Sequence, residues 1–225
     1  MTAHAPSVRR WIEFSLRSLD ENAERARSAS PIADLRADAY GHDLDLVAKR
    51  LDRHRFEAFL VSPGAVLDGV RTRVVTAADP HELTGAELFG IRPGWRPVLR
   101  VGAEILAVKS LSAGEGVSYG HTWVAPHDTT LALVGAGYAH GVVRRASNTA
   151  PVAVGGAHRT IVGVISMDQL TVHLDGADAA EGDDAVFFGD PDRGEPTLVQ
   201  WQDATGIRAL AITSRLSSAF QRSIA

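Results

Sequence analysis

The hydrophobic pattern changes character near residue 97. Before that point, short apolar runs alternate with amphipathic stretches. Trp11-Ile-Glu-Phe-Ser-Leu16 alternates as a strand does. Ser18 and Glu21 have the Ser-x-x-Glu spacing of a capping box, so Leu19 to Ala29 reads as an Ala- and charge-rich helix. Pro31 to Leu35 reads as a buried strand, Leu44 to Leu51 as a second amphipathic helix, and Glu57 to Ser62 as a second buried strand. Gly64 to Gly69 suggests a short helix and Thr72 to Thr76 a third strand. This β/α alternation stops after about three units. Residues 77–97 are rich in Pro, Gly and polar side chains and mark a boundary. Beyond it, strand-like segments recur at 98–111, 117–124, 129–137, 150–154, 159–175 and 184–189 with turn signals between them, the spacing of an antiparallel barrel or sandwich. A helix over 198–205, a stop at Gly206 and a helix over 208–220 close the chain. The expected class is α+β, with domains at 1–96 and 97–225. The strand at 11–16 could belong to the second domain.

Composition narrows the function. With 45% hydrophobic and 22% charged residues, the 225-residue chain can bury a core. Its net charge of −4 gives no general attraction to nucleic acid or to an anionic membrane. There is no cysteine, which removes disulfides, thiolate metal sites and a cysteine nucleophile. Residues 1–10 lack the apolar core of a signal peptide, and no run is long enough to span a bilayer, so a cytoplasmic location is expected. Among 23 basic residues only Lys49 and Lys109 are lysines. His121, His127, His140, His158 and His173 show no zinc spacing, and no metal site is predicted.

The stretch Gly114-Glu-Gly-Val-Ser-Tyr-Gly-His-Thr-Trp123 joins two alternating runs. It reads either as a Gly-rich turn with Tyr119 as an aromatic cover, or as a place where glycines admit a ligand and Tyr119 offers an acid/base hydroxyl. Several stretches in order resemble the alanine racemase family. Arg36-Ala-Asp-Ala-Tyr-Gly-His42 is similar to its cofactor-lysine motif and Gly116-Val-Ser-Tyr-Gly-His-Thr122 to the loop of its catalytic tyrosine. Gly137-Tyr-Ala-His-Gly-Val-Val-Arg144, Val162-Gly-Val-Ile-Ser-Met-Asp-Gln169, Gly182 to Gly189 and Ile212 to Ser218 match later segments. The resemblance implies a (β/α) barrel that holds pyridoxal phosphate, followed by a β domain. A closed eight-unit barrel needs about 250 residues, so the first part is expected to be a remnant of it, with the middle missing between Thr76 and Glu87.

Measured against that family, Arg36 stands where the imine-forming lysine is expected. A guanidinium does not deprotonate in a protein and cannot form the imine, though its planar fork could pair with a phosphate or carboxylate. Lys49 lies on the surface pattern of a helix and Lys109 on a strand, so neither is a ready substitute. Asp43 replaces a glycine, His140 an aspartate, Val164 an arginine and Leu210 a tyrosine. Tyr40, Tyr119, Tyr138, Arg144, Met167 and Asp168 match. The resemblance implies that Tyr119 is the base position reaching the partner subunit's site and that Met167 approaches substrate from the same side. Tyr138, Met167 and Asp168 read equally as core and turn residues of the β domain. The functional expectation is a racemase-like binding or partner subunit without the cofactor, as a homodimer or a heteromer with a full-length racemase. The alternatives are an active pyridoxal-phosphate racemase, and a small α+β domain that takes an amino-acid or anionic ligand at Arg36 and Tyr40.

Overall fold

The computed structural model describes residues 8–225, so the expected absence of a signal-peptide core falls in part outside the described residues. In chain order the first strands and helices are β1 (Arg10–Phe14), α1 (Leu16–Ala26), β2 (Ile32–Asp34), α2 (Arg36–Gly41), α3 (Leu44–Leu51), β3 (Ala58–Leu60), β4 (Arg73–Val75) and β5 (Leu83–Thr84). Then follow β6 (Leu99–Leu111), β7 (Gly116–Val117), β8 (Trp123–Val124), β9 (Thr129–Val134), β10 (Pro151–Val154), β11 (Ala157–Val162), β12 (Leu170–His173) and β13 (Asp184–Phe188). The chain ends with α4 (Leu198–Thr205), α5 (Ala209–Thr213) and β14 (Gln221–Ile224). Among the described residues no helix is long and apolar enough to cross a membrane.

The chain forms two compact units. The barrel unit comprises residues up to Glu13, Arg100–Ile207 and Leu216–Ser223. Its strands run in the order β13-β10-β11-β12-β9-β6, and β6 pairs again with β13, which closes a six-stranded antiparallel barrel. Closure rests on the length of β6. Its first half pairs with β13 (Gly102 opposite Val186) and its second half with β9 (Val108 opposite Ala132). A register shift between Ile105 and Ala107 falls at the start of the β9 pairing, just past the last β13 partner at Glu104. Ile105, Val134, Val152, Ile161 and Val172 are buried in the core. Trp201 on α4 packs against Phe187 and Phe188 and donates its indole N–H to Pro151 O at 2.8 Å. The buried Glu195 carboxylate is satisfied by the Arg100 fork and the Asp190 N–H (2.8 Å).

The other unit comprises Phe14–Leu99, Arg208–Arg215 and Ile224–Ala225. Its sheet is parallel throughout, in the order β4-β3-β2-β5. The fourth strand, β5, lies in the segment that the sequence presents as a linker; at two residues it is too short to show a period. Buried Asn22 on α1 donates to Leu88 O (3.1 Å) and Arg96 O (2.7 Å) and accepts from Arg96 N (3.1 Å), which clamps the 88–96 loop to the helix.

Several elements differ from expectation. Helix α1 starts at Leu16, capped by Ser15 Oγ, and Ser18 lies inside it, so the box at Ser18 is not the cap. Glu21 pairs instead with Arg17 (2.8 Å) and Arg96 (2.7 Å). No helix forms at 64–69, where Gly64 and Gly69 both take positive φ. The segment 159–175 is two strands, because Gly163 turns the chain at φ 72°, and a Cβ there would lie 2.8 Å from Val117 Cγ1. The last helix stops at Thr213, where the Thr213 and Ser214 hydroxyls bond back to Leu210 O (3.1 and 2.6 Å). Residues 221–224 then form β14.

The segment Arg36–Gly41 is the least ordinary backbone in the chain. Ala37, Asp38, Ala39 and Tyr40 all have φ between 50° and 57°, a left-handed turn that costs roughly 1–2 kcal/mol per residue. It is held at both ends. Ser62 Oγ accepts from Ala37 N (2.9 Å), Asp38 accepts from Leu44 N (2.8 Å), and His42 Nδ1 bonds Ala39 O (2.9 Å) with its ring stacked on Phe89. Gly41 completes the turn at φ 79°, where a Cβ would lie 2.4 Å from Thr213 O. Gly64 has a similar φ of 85° with open space around it. We expect Gly41→Ala to lower unfolding free energy by more than about 2 kcal/mol and Gly64→Ala by only about 1 kcal/mol, as read by urea denaturation.

Candidate functional site

Two groups of side chains matter, one in each unit. In the parallel unit, β2 ends at Asp34, and the left-handed turn that follows sets Arg36 and Tyr40 on the same side of it. Arg36 does not stand open to a ligand. Its Nε and Nη2 fork onto the Asp34 carboxylate at 2.9 and 2.6 Å, and the Tyr40 hydroxyl donates to the same carboxylate at 2.6 Å. Asp34 is buried, and this pair of donors compensates its charge. The hydrogen bonds that Arg36 donates to Asp34 raise its pKa further, so the guanidinium stays charged at any pH the fold survives. Burial first, and then the bond to Asp34, push the Tyr40 phenol up to about 12. Leu210 and the Tyr40 ring edge both lie 3.8 Å from where a Cβ on Gly85 would sit, so both border the same glycine. Asp43 caps α3 by accepting from Leu46 N at 3.0 Å. Lys49 is exposed and bound to Asp45 at 2.6 Å.

In the barrel unit, the β7–β8 ribbon carries Tyr119 at its tip, with Ser118 and His121 at positive φ. The tip is pinned from behind: Ser118 Oγ accepts from Val164 N (2.9 Å), and Asn148 bridges Thr122 Oγ1 (2.9 Å) to Gly163 N (2.6 Å). Tyr138 and Met167 come together because the 137–139 turn lies on the backbone of 166–167, with Tyr138 N donating to Ser166 O (3.1 Å) and Ala139 N to Met167 O (3.0 Å). Arg144 donates to the Tyr119 hydroxyl, and its guanidinium carbon lies 5.8 Å from the centres of both the Tyr119 and the Tyr138 rings. Tyr119 is 70% exposed, Met167 55% and Tyr138 46%. These are not core residues; the four form a projecting aromatic and cationic face. Asp168 is exposed too and faces His140 Nε2 at 3.9 Å, beyond hydrogen-bond reach. His140 is buried and accepts from Gly137 N at Nδ1 (3.0 Å), which leaves its proton on Nε2; burial and Arg10 lower its pKa and keep it neutral. Behind Tyr119, Lys109, Ser118, Leu131, Leu133, Ser166 and Gln169 line part of a cavity of about 350 Å³.

The structure thus brings Arg36 with Tyr40, and Tyr119 with Tyr138, Arg144 and Met167. Sequence reasoning missed Asp34, which decides the chemistry of the first group. Its only signal was a charged residue inside an otherwise apolar strand. Because the folded-state pKa of Tyr40 lies above the ordinary 10.0, its contribution to stability is complete below pH 10 and is lost as pH rises toward about 12. Tyr40→Phe should therefore flatten the alkaline limb of a stability-versus-pH curve measured by urea denaturation.

Comparison with known proteins gives a consistent result. Residues 98–224 match the family model described as alanine racemase, C-terminal domain. The chain is 43% identical to the alanine racemase of Streptomyces coelicolor over 163 residues, covering 72% of this chain and 39% of that protein. It is 36% identical to that of Salinispora arenicola over 200 residues, covering 84% of this chain and 50% of that one. The chain therefore spans half or less of these relatives' length. Its fold resembles the alanine racemase structure from Streptomyces lavendulae, with TM-score 0.83 and 22% identity over 99% of this chain and 98% of that one. It also resembles the Bartonella henselae alanine racemase structure, which has covalently bound pyridoxal phosphate, with TM-score 0.80 and 16% identity over 96% of this chain and 99% of that one. From its closed six-stranded barrel to its Tyr119 ribbon, this chain belongs to the alanine racemase family.

Proposed function

We propose that the chain does not racemise amino acids on its own and serves as a subunit that presents its Tyr119 face to a partner. The observation that carries this reading is the Arg36 fork on Asp34. Where the family resemblance expects a lysine that attaches pyridoxal phosphate, this chain has a permanently charged guanidinium already paired within the chain. The residues present do not fit covalent attachment of the cofactor. A free anionic ligand at this position would have to displace the Asp34 carboxylate from Arg36, which also disfavours an anion-binding role.

The Tyr119 face supports the second half of the reading. A phenol becomes a useful base only beside a cation, and Arg144 supplies one at the hydroxyl. The ring projects into solvent, where it can reach another chain's site. The partner is a second copy of this chain or a full-length racemase, in the cytoplasm. The same Tyr119–Arg144 pairing favours the alternative of an active racemase, provided that cofactor is held by other means.

Titration with pyridoxal phosphate, followed by borohydride reduction and intact mass, should give no imine band and no adduct. An adduct that disappears on changing Lys49 or Lys109 would overturn the proposal in favour of the active enzyme. Arg36→Lys alone should also stay dark, because Asp34 would keep the new amine protonated; the imine is expected only when Asp34→Asn accompanies it. For the partner role, the chain is mixed with a full-length racemase whose tyrosine at the position matching Tyr119 is changed to Phe. Restored turnover with the native chain, and none with Tyr119→Phe, is the expected result; no recovery with either means that the face lends no base.

A further inference from the structure

The pairing of β9 with β12 brings His127 to two side chains, His173 and Asp175, that lie more than forty-five residues further along the chain. Leu131 sits opposite His173, and Leu174 N donates to Thr130 O at 3.0 Å, so the turn that leads into β9 lies beside the turn that leaves β12. His127 comes from the first turn, His173 from the last residue of β12, and Asp175 from the second turn. Each offers one ligand atom, and these atoms all lie within 4.8 Å of one another. We propose that His127, His173 and Asp175 bind a divalent transition-metal ion of the zinc class.

The donor set points to that class. Two imidazole nitrogens and one carboxylate oxygen suit zinc and its neighbours, whereas magnesium and calcium take oxygen donors. Zinc bonds of about 2.0–2.2 Å place tetrahedral ligands about 3.4 Å apart, so atoms within 4.8 Å of one another need close by no more than about 1.4 Å. His127 and Asp175 are exposed and stand on turns, where such a movement meets little packing. His173 is the fixed member. Thr129 Oγ1 bonds its Nε2 at 2.8 Å and orients the ring, as a metal-bound imidazole requires of its other nitrogen. Trp123 lies against the same ring, with centroids 5.0 Å apart, and shields one side of the site. Three protein ligands leave a fourth position for water or a small donor ligand. The spacing, 127 to 173 to 175, has no recognisable metal motif, so the site is invisible before the fold brings the two turns together. The proposal is independent of the Arg36 and Tyr119 readings.

The test is calorimetric titration of the untagged, chelator-stripped chain with zinc chloride, repeated in competition with a chromophoric chelator. Saturable binding of one equivalent with a rise in Tm is expected, undiminished by excess magnesium. Removing a group that only orients a ligand costs about ten-fold in affinity, so Thr129→Val should weaken binding by about that much. His127→Ala and Asp175→Asn should weaken it further, and His158→Ala, an exposed histidine on the same unit, should leave it unchanged. His127 and Asp175 carry the test because they are exposed; circular dichroism checks that both variants fold. The proposal is overturned by absent saturation, by displacement with magnesium, or by folded His127→Ala and Asp175→Asn variants that bind zinc as the parent does.

Discussion

The barrel depends on β6 having a partner on each side. Thirteen residues are enough for one strand to pair with β13 along its first half and with β9 along its second, with a register shift where it changes allegiance. Without that second pairing the six strands would form an open sheet with two exposed edges. With it, the Tyr119 ribbon, the 137–144 turn and the 163–169 loop are all anchored to a closed frame, and the Tyr119 and Tyr138 rings meet at the Arg144 guanidinium. The face owes its geometry to the frame, since the ribbon itself contributes only two residues to each strand.

The parallel unit holds an unusual backbone turn around a polar centre that is paired within itself. The left-handed turn, the stacked His42 and the Gly41 contact would all be needless expense in a chain that required only a link between β2 and α3. They hold Tyr40 and Arg36 in place over Asp34, where the three groups satisfy one another. A buried carboxylate with two good donors is stable, and the half-exposed Arg36 that covers it already has its fork engaged. The position therefore reads as a closed polar knot, whereas the barrel unit still offers an open surface.

Much of this was legible in the sequence, for reasons that differ by element. The alternation in β6 and β9 and the Gly206 stop after α4 were plain because each is a local signal. Ser18 was misleading because a box spacing also arises by chance inside a helix, and Ser15 was masked by the strand immediately before it. Asp34 and Asp175 could not be weighed from the chain alone. What they do depends on which side chains the fold delivers to them, Arg36 from the next turn in one case and His127 from the turn before the neighbouring strand in the other. The exposed positions of Tyr138 and Met167 were hidden for a similar reason, since an apolar residue in a turn looks the same whether it points inward or outward.

The brevity of β7 and β8 shapes what can happen at the Tyr119 face. A long, flat strand edge invites any extended chain to pair with it and is a common start for aggregation. Here the exposed Val124 sits on a two-residue strand and Tyr119 on the tip between the two, and the left-handed Ser118 and His121 turn the backbone away from an extended path. The backbone offers no template of useful length. Whatever adheres to this surface must do so through side chains, so recognition is governed by shape and charge around Arg144, and a sticky face can persist without seeding fibres.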